Sequence, residues 1–217
     1  MLPNMLLGLS TLGDIKGKRV LVRAPFNVPM DGGTIRDTSR IDDCIPTIDY
    51  LINAGARVIL VSHHSDGAET SLKPVADHLQ KKGLHIRFVE DIASLAPTFQ
   101  SGPRPEGVGA SKAVTLLENL RRYAGEEKND PAFAQQLASL ADIYVNDDFT
   151  TAHREHASIV GVPKLLPSVV GLSFQREYEG LSKFASPTSP SLAIIGGAKP
   201  ETKLPLIAKM VDRFNVV

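Results

Sequence analysis

Short runs of β-branched and aliphatic residues alternate along this chain with longer stretches whose apolar positions recur every three or four residues. The first pattern is that of a strand buried on both faces, the second that of an amphipathic helix. Lys18–Arg23 (KRVLVR), Arg57–Ser62 (RVILVS), His85–Val89, Ala113–Leu117 (AVTLL) and Asp142–Asn146 (DIYVN) read as strands. Thr38–Ala54 reads as a helix, with Asp37 or Thr38 as its cap and Gly55 closing it. Short polar side chains satisfy the first free N–H groups of a helix, and glycine accepts the left-handed turn that ends one. Pro46 lies inside that helix and is expected to kink or divide it, because proline lacks an N–H and crowds the preceding turn. Leu72–Lys82 is a second helix, ending at Gly83, and Asp130-Pro131 opens a third that runs towards Leu140. Gln100–Gly109, rich in glycine and proline, reads as a loop.

Strand and helix in alternation predict an α/β fold, a Rossmann-like doubly wound parallel sheet with helices on both faces. The pattern restarts near Leu172. Ser173–Ala185 reads as a helix, Ser186–Ser191 as a linker with two prolines, and Leu192–Ile195 as a strand. Gly196-Gly197 follows, then a helix from Glu201 to Val211 and a new strand at Phe214–Val217. The expected division is therefore a first domain over 1–171, a helix and linker over 172–190, and an incomplete second α/β domain over 191–217.

Composition narrows the function classes. The 42% hydrophobic and 22% charged content is that of a globular protein, and 24 basic against 24 acidic residues leave no net charge. A nucleic-acid partner, which favours a strongly basic chain, is not expected. No apolar run approaches the ~20 residues that span a bilayer, so no membrane partner is expected either. Met1–Leu9 lacks a basic leader, which argues against a signal peptide. Cys44 is the one cysteine; it excludes a disulfide framework, fits a reducing cytoplasm, and reads as a small buried apolar residue among Ile41, Ile45 and Ile48.

Candidate chemistry collects after the strands. Pro25-Phe26-Asn27 follows the first, His63-His64 the second, Glu118–Arg121 the fourth, and Asn146–Asp148 with His153-Arg154 the fifth. Loops at the carboxyl ends of a parallel sheet line one crevice. Asn27, His63, Arg121 and Arg154 are thus expected at one rim, with Arg40 joining them after the Gly32-Gly33 turn. Arginine forks match phosphate and carboxylate oxygens, so the rim suits a small phosphorylated, carboxylated molecule. The plainer reading of each arginine alone is a solvated side chain. His153 and His156 have helical spacing, but no third ligand joins them and no metal site is expected. Glu126-Glu127-Lys128 reads as a solvated edge, and His78 and His85 as surface or edge residues. Gly196, Gly197, Lys199 and Lys203 sit at a strand-to-helix turn of the kind that receives phosphate on backbone N–H groups. The spacing is neither a Walker A loop nor a dinucleotide fingerprint.

Several segments together resemble phosphoglycerate kinase: KRVLVRAPFNVP at 18–29, SLKPVADHL at 71–79, LLENLR at 116–121, EEKNDPAFAQQLASLADIYVND at 126–147, TAHREHASIVGVPKLLPS at 151–168 and GGAKPETKLPLI at 196–207. The resemblance runs from about Leu12 to Val217, and the last segment is similar to divergent bacterial members. It implies a cytoplasmic glycolytic phosphotransferase with a carboxyl group as acceptor, working between 1,3-bisphosphoglycerate and ADP. In that family the N-terminal domain holds 3-phosphoglycerate or 1,3-bisphosphoglycerate, and the C-terminal domain holds Mg-ADP or Mg-ATP. The resemblance assigns substrate binding to Asn27, Arg40, His63, Arg121 and Arg154, catalysis to Arg40 and Lys199, and nucleotide binding to Gly196, Gly197, Lys199 and Lys203. Residues 1–171 then correspond to the substrate domain and 191–217 to the first βαβ segment of a truncated nucleotide domain.

The chain departs from the family pattern. Pro25 stands where an aspartate is usual and cannot accept its hydrogen bond. Asp66 sits in or beside the place of an arginine, and Asp148 and Thr150 replace small residues. Most of the nucleotide domain lies beyond the resemblance, including its metal-binding aspartate. The chain alone is accordingly expected to be inactive, with a C-terminal domain or a partner chain covering 191–217. The alternatives are a fragment of a whole enzyme, one half of a split enzyme, or a truncated pseudoenzyme serving as a ligand-binding or structural interaction subunit.

Overall fold

The structure is a computed structural model that describes residues 6–95, 113–185, 187–196 and 203–216. Its elements begin with β1 (Arg19–Arg23), a short hairpin of β2 (Met30–Asp31) and β3 (Thr34–Ile35), and α1 (Ser39–Asn53). Then come β4 (Arg57–Val61), α2 (Lys73–Lys81), β5 (His85–Val89) and β6 (Ala113–Leu117). After them follow α3 (Ala124–Glu127), α4 (Pro131–Ala138), β7 (Ile143–Asn146), β8 (Ser168–Val170), α5 (Leu172–Ala185) and α6 (Leu204–Val211). Six strands form one parallel sheet in the order β5-β6-β4-β1-β7-β8.

Strand residues alternate between two cores. Val20, Val22, Val58, Leu60 and Val145 meet Ile41, Cys44, Ile48 and Leu51 of α1 and Val75 and Leu79 of α2. Leu21, Ile59, Val61 and Tyr144 meet Phe133, Ala134 and Leu137 of α4 on the other face. Each fully buried aliphatic side chain contributes on the order of 1.5–3 kcal/mol. Burial on both faces explains why these strands are apolar without a break, and it gives the doubly wound α/β fold its two layers of helix.

Helix ends follow local chemistry. Asp130 accepts a hydrogen bond from the Phe133 N–H at 2.9 Å and opens α4. Asp37, not Thr38, accepts from the Ser39 N–H at 2.8 Å before α1, while the Thr38 hydroxyl donates to Asp42. Gly55, at φ +80°, turns the chain after α1; a Cβ there would lie 3.2 Å from the Lys16 side chain. Pro46 does not divide α1, which is one helix from Ser39 to Asn53. The ring faces solvent while Ile41, Cys44, Ile48 and Leu51 are fully buried on the other side, so packing outweighs the single lost backbone bond.

The chain forms two compact units, Met1–Gln175 and Arg176–Val217. In the second, Leu181 and Phe184 of α5 line a hollow with Leu206 and Met210 of α6, and the Phe184 and Phe214 rings lie 5.0 Å apart. The expected strands at 192–195 and 214–217 are reduced, among the described residues, to one parallel bridge between Leu192 and Val216. Ile194 is 87% exposed, so the neighbouring strands that would bury such a segment are not supplied by the described residues. Among the described residues no helix is long and apolar enough to cross a membrane.

Candidate functional site

Strand register brings the polar loops together. Arg23, the last residue of β1, is level with Val61 of β4 on one side and Asn146 of β7 on the other. Ser62-His63-His64 and Asp147-Asp148 therefore leave the sheet beside Arg23. The order of strands reverses about β1 and β7, which is where an open parallel sheet forms a crevice.

Arg23 is the centre of the buried polar network, although the sequence reading left it in a strand. Its Nη1 lies 3.1 Å from Asp148 Oδ2 and donates to the Ala24 carbonyl at 2.9 Å. Its Nη2 is 2.5 Å from His63 Nδ1, and its Nε donates to Ser158 Oγ at 3.1 Å. The Ser158 hydroxyl in turn donates to Glu126 at 2.5 Å, and the Ser158 N–H to the same carboxylate at 3.0 Å. Glu126 is fully buried, which corrects its assignment to a solvated edge. Burial raises its pKa against the opposing pull of Arg23.

His63 is fully buried, and its Nε2 has no hydrogen-bond partner in the described structure. Its ring stands edge-on to His156 with centroids 6.3 Å apart. Burial, and then the charges of Arg23, Arg121 and Arg154, push the His63 pKa down to about 2. Burial followed by Arg121 and Arg154 also lowers His156. Three separate loops thus place positive charge around the same imidazoles. Arg121 pairs with Glu127 at 2.7 Å, yet its Nε is buried without a hydrogen-bond partner, and His156 Nδ1 lies 3.9 Å from Glu126 Oε1. A buried donor without an acceptor carries a desolvation cost.

Neighbouring residues brace this rim. Asn119 Oδ1 accepts from the N–H groups of His64 and Arg121, both at 3.0 Å, and its amide donates to the carbonyls of Gly67 and Thr70. Buried Glu118 accepts from Ser71 Oγ at 2.6 Å and from the Leu72 N–H at 2.7 Å. Asn27 accepts from Ser65 through Oδ1, and its carbonyl accepts from Arg40 Nη1 at 2.9 Å. Asp66 is exposed, 3.7 Å from His64.

Of the residues expected at the rim, His63, Arg121 and Arg154 share one electrostatic environment, and Asn27 and Arg40 touch each other. His153 is exposed. Gly196 and Lys203 lie in the second unit, Lys203 just before α6; Gly197 and Lys199 lie outside the described residues. His78 is not a surface residue: its Nε2 meets Asp42 at 2.8 Å and ties α2 to α1. Sequence alone does not single out Arg23, Glu126 or Ser158 as site residues, and it marks Asp148 only as a departure from the family pattern. The available signal was a charge closing an otherwise apolar strand.

Known proteins carry the same pattern. A family model described as phosphoglycerate kinase matches residues 9–217. The chain belongs to the phosphoglycerate kinase family. The phosphoglycerate kinase of Moorella thermoacetica is 45% identical over 214 residues, covering 94% of this chain and 52% of that protein. The enzyme of Zymomonas mobilis is 42% identical over 214 residues, covering 95% of this chain and 53% of that one. Among solved structures, phosphoglycerate kinase from Coxiella burnetii superposes with a TM-score of 0.81 at 33% identity, covering 98% of this chain and 54% of that one. The Pyrococcus horikoshii enzyme gives 0.83 at 29% identity over 97% of this chain and 54% of that one. The chain spans about half the length of the curated relatives it matches.

Proposed function

We propose that this chain is the phosphoglycerate-binding half of a phosphoglycerate kinase, taking 3-phosphoglycerate or 1,3-bisphosphoglycerate in the cytoplasm as part of glycolysis. The observation that carries the reading is the set of buried donors without acceptors, His63 Nε2 and Arg121 Nε, among the charges of Arg23, Arg121 and Arg154. Phosphoryl transfer depends chiefly on positioning and on neutralising charge, and this rim offers both. In this reading Asn27, His63, Arg121 and Arg154 hold the glycerate, and Arg40 lies where it stabilises charge on the migrating group. Residues 1–171 act as the substrate domain, 172–190 as connecting helix and linker, and 191–217 as the opening of the nucleotide domain.

The described nucleotide-side residues fit a phosphate. Among the described residues other than its chain neighbours, no atom lies within 4 Å of a Cβ built on Gly196, and Lys203 adds a cation at the start of α6. With Gly197 and Lys199 they would hold the phosphates of Mg-ADP or Mg-ATP, which supplies the phosphoryl acceptor or donor. The family resemblance places the magnesium with the nucleotide, in the part of that domain beyond this sequence. Activity is accordingly assigned to the complete two-domain enzyme.

A second reading, a ligand-binding or structural interaction subunit with impaired chemistry, draws on Pro25 and Asp66. Pro25 is buried beside Arg23 and offers no carboxylate, and Asp66 puts negative charge beside the rim. Losing one charge-assisted contact costs about 1.5–3 kcal/mol. Calorimetric titration with 3-phosphoglycerate separates the two. The kinase reading predicts binding that weakens about tenfold or more in Arg121→Ala and falls with added salt. A folded chain showing no binding up to millimolar ligand would favour the second reading.

A further inference from the structure

Every guanidinium nitrogen of Arg23 is engaged inside a fully buried site. A guanidinium carries donors only and keeps its proton, so the 2.5 Å contact with His63 obliges Nδ1 of the imidazole to accept. The one proton of the neutral ring then resides on Nε2, the atom that is buried without a partner. A second proton, on Nδ1, would set N–H against N–H at that distance.

Arg23 is itself held. Asp148 Oδ2 lies 3.1 Å from Nη1 and is 1% exposed. The two oxygens of Asp148 also accept from the hydroxyls of Thr150 at 2.7 Å and Thr151 at 2.6 Å, which leaves the carboxylate one orientation. The other groups touching Arg23 are neutral: the Ala24 carbonyl, the hydroxyls of Ser62 and Ser158, and His63. Asp148 is therefore the one carboxylate paired directly with this buried cation among the described residues.

We infer that Asp148, acting through Arg23, is a positioning residue that fixes His63 as a neutral imidazole with its proton on Nε2, ready to donate to a phosphate or carboxylate oxygen. The charged groups around the ring agree with that state. Arg23 at the end of β1, Arg121 beyond β6, and Arg154 and His156 beyond β7 all oppose a positive charge on it, while Asp148 reaches it only through Arg23. The rim then binds with permanent arginine charges and an uncharged histidine donor whose state does not change near neutral pH.

The identity of the ligand rests on the phosphoglycerate reading; the tautomer does not. The test is a set of two-bond proton–nitrogen NMR spectra on the 217-residue chain labelled with ¹⁵N-histidine, without ligand, from about pH 5.5 to 8. The expected result is an Nε2–H tautomer of His63 that remains unprotonated throughout. An Nδ1–H tautomer, or a His63 that takes up a proton within that range, overturns the inference. Asp148→Asn is expected to bring in an Nδ1–H population and to weaken 3-phosphoglycerate binding about fivefold to tenfold. Thr151→Val, which removes the hydroxyl that holds the Oδ2 facing Arg23 and keeps both charges, is expected to act in the same direction and replaces Asp148→Asn if that chain does not fold. Unchanged tautomer and unchanged affinity in a folded variant overturn the role of Asp148. A locked His63 in a chain that ignores 3-phosphoglycerate contradicts the functional reading alone.

Discussion

Asp147 shows how a single residue couples the sheet to the helix that leaves it. Its Oδ1 accepts from the N–H groups of Ser173 at 2.9 Å and Phe174 at 3.1 Å, and Thr47 accepts from the Leu172 N–H, so β7 and α1 together cap α5. A Cβ on Gly171 would fall 2.2 Å from the same carboxylate oxygen, so glycine is required there by close approach. Burial raises the Asp147 pKa from 3.8 to about 6 against the pull of those N–H groups. The native pKa lies above the unfolded one, so the folded state holds the extra proton between the two. The stability Asp147 contributes relative to a neutral amide is complete below pH 3.8 and is lost as pH rises through about 6. Measured by urea unfolding, wild type minus Asp147→Asn is expected to fall by roughly 2 kcal/mol between pH 4 and 7.5, from 1.36 kcal/mol per pKa unit. A pH-independent difference would contradict the cause given for the shift. Legibility at this scale was uneven. Asn27, His63, Arg121 and Arg154 stand in loops, where a polar residue after a strand is conspicuous. Arg23 sits inside a strand and Glu126 in a run of charges, and nothing in a linear sequence says that two such residues share a buried site with Ser158. Asp148 was visible as a departure from the family pattern, but its pairing with Arg23 depends on β1 and β7 being neighbours.

Elements were legible where a cap or a long apolar period announced them. β5 and β6 match their sequence reading at both ends, and α4 begins at the Asp130-Pro131 signal. β8 is three residues long, and the β2–β3 hairpin has two residues in each strand, too short to show a period of their own. Pro46 leaves α1 undivided because the rule for proline describes an isolated helix, whereas α1 is held by the apolar face it buries. The Asp130 cap allows a direct check on helix energetics. Asp130→Ala removes the acceptor of the Phe133 N–H and is expected to cost about 1 kcal/mol, lowering the melting temperature by about 3 °C. The Asp130 cap bonds the Phe133 N–H, apart from the partners of Arg23, so ligand affinity at temperatures well below melting is expected to stay within about twofold.

At the scale of the molecule, the first unit has two complete cores and a rim built from four strand ends, and the second has a small apolar cluster beside exposed aliphatic side chains. The doubly wound sheet was legible from alternation alone, since only buried parallel strands read as unbroken apolar runs. The state of residues 192–216 was less so: the pattern of a βαβ segment is present, but a strand pairs only if neighbours exist, and here a single bridge forms. Family membership covers residues 9–217, whereas the proposal that the rim after β1, β4, β6 and β7 takes phosphoglycerate despite Pro25 and Asp66 is narrower. Proton–nitrogen shift mapping of the chain with 3-phosphoglycerate tests it most directly. The expected result is a set of saturable shifts concentrated at Asn27, His63, Arg121, Arg154 and their loop neighbours, weakened by salt. An absence of shifts at millimolar ligand, or shifts centred on Leu181, Leu206 and Phe214, would contradict it.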